Sequence, residues 1–114
     1  MHELSLAKSV MDLTVGEALK YNASGISVIR LCIGEYSDVV PSYIIDCFKL
    51  LSKGTIAENA KLEFNKIPAK IKCRECLLTS HPSPGEYACS VCGSNNVELI
   101  SGTEFYVENI EIED

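Results

Sequence analysis

Residues 26–54, ISVIRLCIGEYSDVVPSYIIDCFKLLSKG, change hydrophobic period once, and that change sets the fold. Ile26, Val28, Ile29, Leu31 and Ile33 form a run rich in β-branched residues that stops at Gly34, the signature of a buried strand. Pro41 suits the first turn of a helix, and Ile44, Ile45, Phe48 and Leu51 then share one helical face to about Ser52. Gly54 follows where a helix stop is expected. A return strand comes next, carried by Leu62, Phe64, Ile67, Ala69 and Ile71. Its inward parity switches between Phe64 and Ile67, which implies a bulge or a change of packing partner near Pro68. Strand, helix and strand in this order form a crossover if the two strands are parallel neighbours.

Upstream, Leu4, Ala7, Val10 with Met11, Thr14 and Ala18 recur at helical intervals, widened by Leu6 and Leu13. This predicts an amphipathic helix from Glu3 to about Tyr21, stopped by Asn22 and Gly25. Downstream, a third strand runs from about Glu104 to Ile112, with its parity changing between Phe105 and Val107 on one side and Ile110 and Ile112 on the other. The expected architecture is α+β: two helices on a three-stranded mixed sheet. Residues 73–96 hold four cysteines, two prolines and two glycines but few large apolar side chains, so they cannot build a core of their own. They read as an inserted zinc-ribbon-like hairpin. The expected division is a discontinuous α/β domain of 1–71 and 98–114 and an inserted cysteine-rich domain of 72–97.

At 114 residues, 46% hydrophobic and 23% charged, the chain has the composition of one folding domain and is too short for a large multidomain enzyme. Ten Lys and Arg against sixteen Asp and Glu leave a charge of −6, which repels phosphate backbones and anionic lipid. No stretch is long and apolar enough to span a membrane, and MHELSLAKSV lacks the basic and apolar regions of a signal peptide. The expectation is therefore a cytoplasmic protein with reduced thiols, no membrane insertion and no nucleic-acid partner.

Cys73-Arg74-Glu75-Cys76 and Cys89-Ser90-Val91-Cys92-Gly93 are two Cys-x-x-Cys knuckles twelve residues apart. Two intervening residues let both sulfurs of a pair turn toward one ion, and two knuckles complete a tetrahedral thiolate site. Four sulfurs close the coordination shell, so zinc held by Cys73, Cys76, Cys89 and Cys92 would be structural rather than catalytic. Two disulfides conflict with a reducing compartment, and a redox dithiol accounts for one pair, not two. Gly93 relieves the backbone where the turn needs positive φ. His81 reads as an exposed loop histidine rather than a ligand, and Cys32 and Cys47 as buried small hydrophobes. Glu35 and Asp38 read as a solvated turn, and Glu108, Glu111, Glu113 and Asp114 as a solvated strand end. Between Lys66 and Glu98, Lys66, Lys70, Lys72 and Arg74 barely outweigh Glu75, Glu86 and Glu98, and Tyr87 is the hairpin's one exposed aromatic candidate. Neither an electrostatic track nor a stacking platform for polynucleotide results.

Met1-His2-Glu3 offers a second kind of metal chemistry. An α-amine with a pKa of about 7.7–8.0 ligates at modest proton cost, and imidazole is the commonest metal-binding side chain. The amides of His2 and Glu3 fall before or among the first helical N–H groups, which lack intrahelical carbonyl partners. Amine, imidazole and anionic amide nitrogens form a tetragonal or square-planar set that suits Ni(II) or Cu(II). On these residues alone an ordinary exposed terminus is the simpler reading.

The segments MHELSLAKS (1–9), VIRLCIGEYSDVVP (28–41), LSKGTIAENAKL (51–62), PAKIKCREC (68–76) and CSVCGSNNVELISGTEFYVENIEIE (89–113) together resemble the HypA/HybF family of hydrogenase-maturation nickel chaperones. The resemblance implies that His2 and the neighbouring terminal backbone from Met1 hold Ni(II), that Glu3 supports this site, and that the four cysteines hold zinc. It also implies delivery of nickel toward the precursor of a [NiFe] hydrogenase large subunit in cooperation with the GTPase HypB, or in some members toward urease. Family members occur as monomers and homodimers. Certain relatives place a histidine beside each Cys-x-x-Cys pair, whereas Leu77 and Gly93 stand near those places here. The competing classes are a zinc-ribbon adaptor or nucleic-acid module without nickel chemistry, and a dithiol enzyme. No nucleophile–base pair, phosphate loop or open catalytic metal site points to catalysis, so no catalytic residue is expected.

Overall fold

The computed structural model describes residues 2–82 and 87–114. The elements run α1 (Glu3–Lys20), β1 (Gly25–Gly34), α2 (Pro41–Leu51), β2 (Lys61–Ile67), β3 (Lys70–Cys73), β4 (Thr79–Ser80), β5 (Val97–Ser101) and β6 (Phe105–Glu113). They make two sheets, ordered β2-β1-β6 and β4-β3-β5. The chain divides into two compact units, one of residues 1–32, 39–65 and 106–114, the other of 33–38 and 66–105. The second unit takes in all of 72–97 together with the last residues of β1 and β2 and the first residue of β6.

The β2-β1-β6 sheet is mixed, as its hydrogen bonds show. The Ile26 N–H donates to the Ile56 carbonyl (2.9 Å) and the Glu35 N–H to that of Ile67 (2.8 Å), so partners advance together along β1 and β2. By contrast, Ser24 donates to Glu113 (2.9 Å) and Gly34 to Glu104 (2.7 Å), so β6 runs antiparallel to β1.

In the first unit α1 and α2 pack together. The buried stripe of α1 is Glu3, Ala7, Val10, Thr14 and Ala18, a strict helical face with small residues in it. Leu4 and Leu13, expected on that stripe, are more than half exposed because they lie to its sides. The buried Thr14 hydroxyl donates back to the Val10 carbonyl at 2.8 Å, so it costs no unpaired polar group. Ile44 and Phe48 of α2 and Ile26, Ile29 and Leu31 of β1 complete the core. Phe48 is the largest fully buried side chain, and Phe48→Ala should cost about 3–5 kcal/mol, read as a lowered thermal midpoint by circular dichroism. On the exposed side of the sheet the Arg30 guanidinium joins all three strands, bonding Glu63 at 3.1 Å, Asn109 at 3.0 Å and Glu111.

The strand expected to run from Leu62 to Ile71 is two strands in two sheets. β2 ends at Ile67, Pro68 interrupts the ladder, and β3 starts at Lys70 with new partners, so the parity switch marked a change of packing partner. In β6, Phe105, Val107, Ile110 and Ile112 are half-buried, while Glu108 and Asn109 are both exposed, which is the parity change expected there. The insert also carries strands that its composition did not announce. β3 pairs antiparallel with β4 (Ile71 with Ser80) and with β5 (Cys73 with Val97). At the base of this unit the backbone of Gly34 lies so close to Gly102 that any Cβ on Gly34 would run into the Gly102 carbonyl.

Candidate metal centre

β3 delivers Cys73 to the first knuckle, and the turn after it brings Cys76 beside it. The second knuckle, Cys89 to Cys92, lies just before β5. All four sulfurs lie within 4.8 Å of one another. Among the described residues they form the one cluster of at least three His, Cys, Asp or Glu side chains placed to share a metal ion. The Sγ atoms of Cys73 and Cys92 are 3.5 Å apart and those of Cys76 and Cys89 are 3.7 Å apart. A tetrahedron with metal–sulfur bonds of ~2.3 Å has edges of about 3.8 Å, so the spacing fits a tetrahedral thiolate ion of the zinc or iron–sulfur type.

The two knuckles are built alike. The Leu77 N–H donates to the Cys73 carbonyl at 3.0 Å, and the Gly93 N–H donates to the Cys89 carbonyl at 2.9 Å. In each, the residue after the second cysteine is left-handed, with φ of 66° at Leu77 and 78° at Gly93. Gly93 takes this conformation freely, as the sequence predicted; Leu77 does so at a cost of about 1–2 kcal/mol. Because the Leu77 side chain is 69% exposed, Leu77→Gly sacrifices little packing. It should stabilise the hairpin by about 1 kcal/mol, seen as slower metal loss to a chelator.

Backbone N–H groups point at sulfur. The Cys76 N–H approaches Cys73 Sγ at 3.4 Å, and those of Cys92 and Val91 approach Cys89 Sγ at 3.4 Å. Donation from Cys92 and Val91 holds the Cys89 thiol down at about 6, and donation from Cys76 lowers that of Cys73. The N–H of Ser94 acts downward on Cys92 as well, but the neighbouring thiol of Cys73 and burial outweigh it and push Cys92 up to about 12. Cys76 is raised too, despite the Leu78 N–H, by burial and its thiol neighbours. Four sulfurs so close cannot all ionise by themselves, and a divalent cation removes that conflict. Cys32 is buried, and Cys47 partly so, and neither joins this cluster.

At the other candidate site, Met1 lies outside the described residues. His2 is exposed and precedes α1, and its carbonyl accepts the Leu6 N–H at 3.0 Å and the Ser5 hydroxyl at 2.9 Å. The Glu3 side chain turns inward and is 4% exposed. Its Oε2 accepts the Val40 N–H at 3.5 Å, just ahead of α2, and its Oε1 has no hydrogen-bond partner among the described residues.

His81 is half-exposed, as a loop histidine should be, yet it is engaged. Nε2 lies 2.9 and 3.1 Å from the two carboxylate oxygens of Glu35, and Nδ1 lies 2.8 Å from the Pro82 carbonyl. Glu35, read from sequence as a solvated turn residue, also accepts the Ala69 N–H at 2.8 Å. The pairing spans 46 residues, and no sequence period signals it.

The whole chain matches one family. Its profile, described as "Hydrogenase/urease nickel incorporation, metallochaperone, hypA", covers residues 1–112. The chain belongs to the HypA family. A hydrogenase maturation factor HypA from Dehalococcoides mccartyi strain CBDB1 is 42% identical over 114 residues, all of this chain and 96% of that one. Its counterpart from Dechloromonas aromatica is 39% identical over 99% of this chain and 100% of the relative. Among solved structures, the Ni metallochaperone HypA from Helicobacter pylori superposes with a TM-score of 0.70 at 26% identity, covering 99% of this chain and 98% of that one. A second HypA solution structure gives 0.76 at 25% identity, covering 98% and 96%. The HypA family is one of metallochaperones rather than recognised catalysts, and the fold of this chain, two helices on a mixed sheet plus a four-cysteine ribbon, is the HypA fold. Among the described residues no helix is long and apolar enough to cross a membrane.

Proposed function

We propose that this chain is a cytoplasmic nickel chaperone that carries Ni(II) at the start of α1 and delivers it for maturation of a [NiFe] hydrogenase, with a structural Zn(II) at Cys73, Cys76, Cys89 and Cys92. The observation that carries the reading is the family match, which starts at Met1 and includes both the Met-His-Glu opening and the four-cysteine ribbon. The recipient would be the hydrogenase large-subunit precursor, with the GTPase HypB as partner.

The nickel donors would be the Met1 amine, the His2 imidazole and the backbone amides of His2 and Glu3, ahead of the helical hydrogen-bond ladder. The Glu3 carboxylate, turned inward onto the Val40 N–H, would tie this chain start to the start of α2 rather than stand in solvent. Nitrogen donors suit Ni(II), and a cargo site made of few residues lets a recipient substitute one ligand at a time. The nickel-binding part is then the discontinuous α/β portion, and the zinc-binding part is the hairpin of 72–97. Zinc, closed in by four sulfurs, shapes the hairpin and takes no part in transfer.

Elemental analysis of untagged protein followed by Ni(II) titration tests both assignments. One tightly held zinc and one added nickel, bound with proton release, are expected. A preparation with its Met1 start intact that takes up no stoichiometric nickel removes the chaperone reading for this chain.

A further inference from the structure

The second unit contains a contact that neither metal assignment uses. Residues 34–36 are braced on both sides by backbone. Gly34 and Tyr36 donate to the carbonyls of Glu104 and Gly102, each at 2.7 Å, and Glu35 donates to that of Ile67 at 2.8 Å. This segment is a fixed root between the strand entering the cysteine hairpin and the strand leaving it. Among the described residues of the arm between the two cysteine pairs, the ladder amounts to the two pairs of β4, Ile71 with Ser80 and Lys72 with Thr79. Among its described residues the arm meets the root through His81 on Glu35 and through Tyr87, edge-on to Tyr36 with ring centroids 6.0 Å apart.

Both nitrogens of His81 face oxygens that have no proton to give. Nδ1 lies against the Pro82 carbonyl and Nε2 against the Glu35 carboxylate. A neutral imidazole has one N–H and can satisfy one of them; imidazolium has two and satisfies both. We propose that Glu35 and His81 form a proton-operated latch, closed while His81 is imidazolium, that fastens the chain just after β4 to the root at residues 34–36.

The electrostatics agree in sign. The Glu35 carboxylate holds the His81 pKa above the ordinary 6.5, and the Ala69 N–H followed by His81 holds Glu35 below the ordinary 4.5. Among the described residues, the charged groups on the neighbouring segments are Lys66 on β2, which also lowers Glu35, Lys70 on β3, Glu104 just ahead of β6 and Asp38 at the end of the root. A raised histidine pKa gives stabilisation that is complete below the unfolded value and fades as pH rises through the folded one. The carboxylate side gives stabilisation present above its unfolded value and lost as pH falls through its folded one. The latch is therefore closed on the acidic side of neutrality and opens as the medium turns alkaline.

The test is an NMR titration of the full zinc-loaded chain from about pH 5 to 8.5. It follows the His81 ring and the hydrogen exchange of Thr79, Ser80 and Tyr87 relative to α1 amides. Glu35→Gln keeps an acceptor for the Ala69 N–H while removing the charge, and His81→Ala removes the latch from an exposed position. In the parent chain His81 should titrate above about 6.5, with arm exchange rising relative to α1 over the same interval; in Glu35→Gln the ring should fall back toward ~6.5. Both variants should show the fast-exchanging arm throughout. The latch is overturned if His81 titrates at the same pH with and without Glu35, if arm exchange is equal in parent and variants at low pH, or if loosening follows zinc loss rather than the histidine.

Discussion

Cys89→Ser is expected to abolish tight binding of the zinc proposed for the four cysteines and unfold the cysteine hairpin while the first unit stays folded. Cys89 is 2% exposed, faces Cys76 Sγ at 3.7 Å and accepts two backbone N–H groups. A serine hydroxyl there is a shorter, harder donor that cannot supply thiolate at neutral pH. The hairpin has little else to hold it. Among its described residues the buried side chains beyond the cysteines are Pro82 and Ala88, with Ala69 and Ile71 at its base, too few to offset the entropy of ordering. In comparable zinc-finger peptides the ion supplies on the order of 10–16 kcal/mol, so losing one of four ligands removes most of what orders the segment. The first unit keeps Ala7, Ile29, Leu31, Ile44 and Phe48, none of which depends on the ion. Elemental analysis and amide exchange read the outcome: zinc falls below stoichiometric, and β3, β4 and β5 lose protection while α1 keeps it. Undiminished zinc in Cys89→Ser would remove Cys89 from the ligand set.

The hydrophobic period and the cysteine spacing made much of this structure legible. The two helices and β1 stand where the periodicity of Ala7, Val10 and Thr14, of Ile44 and Phe48, and of Ile29 and Leu31 placed them. The knuckles were legible because two residues between cysteines leave the chain few ways to aim both sulfurs at one point. β4 and β5 were not, since Thr79 and Ser80 carry no apolar alternation and Val97 to Ser101 are at most half-buried; the ladder, not a core, holds them. Glu3 also misled the pattern. It occupies the buried position of its turn while Leu4 beside it faces solvent, because a carboxylate that receives the Val40 N–H can enter where an unbonded one cannot. The left-handed turn at Leu77 and the Glu35–His81 pair have no local signal, one because leucine seldom adopts it and the other because its partners are far apart in sequence.

His2→Ala should abolish stoichiometric nickel binding, and so should residues added ahead of Met1, while both proteins keep zinc and fold. The two changes remove different donors. Alanine at position 2 deletes the imidazole but leaves the amine and amides, whereas an extension converts the amine into an amide and leaves the imidazole. If the site is one chelate built on the chain start, each loss opens the ring system and the affinity collapses in both. Neither change touches a buried side chain of α1, whose stripe begins at Glu3, so stability should be unaltered. An ordinary surface histidine would behave differently: the extension would be silent, and His2→Ala would weaken nickel no more than loss of the exposed His81. Acid should act in the same direction as the variants, because amine, imidazole and amide nitrogens must shed protons to bind, so nickel affinity rises with pH and its uptake releases protons. Calorimetry in two buffers of different ionisation enthalpy counts those protons. Unchanged nickel affinity in both proteins would move the cargo site away from the start of α1 altogether.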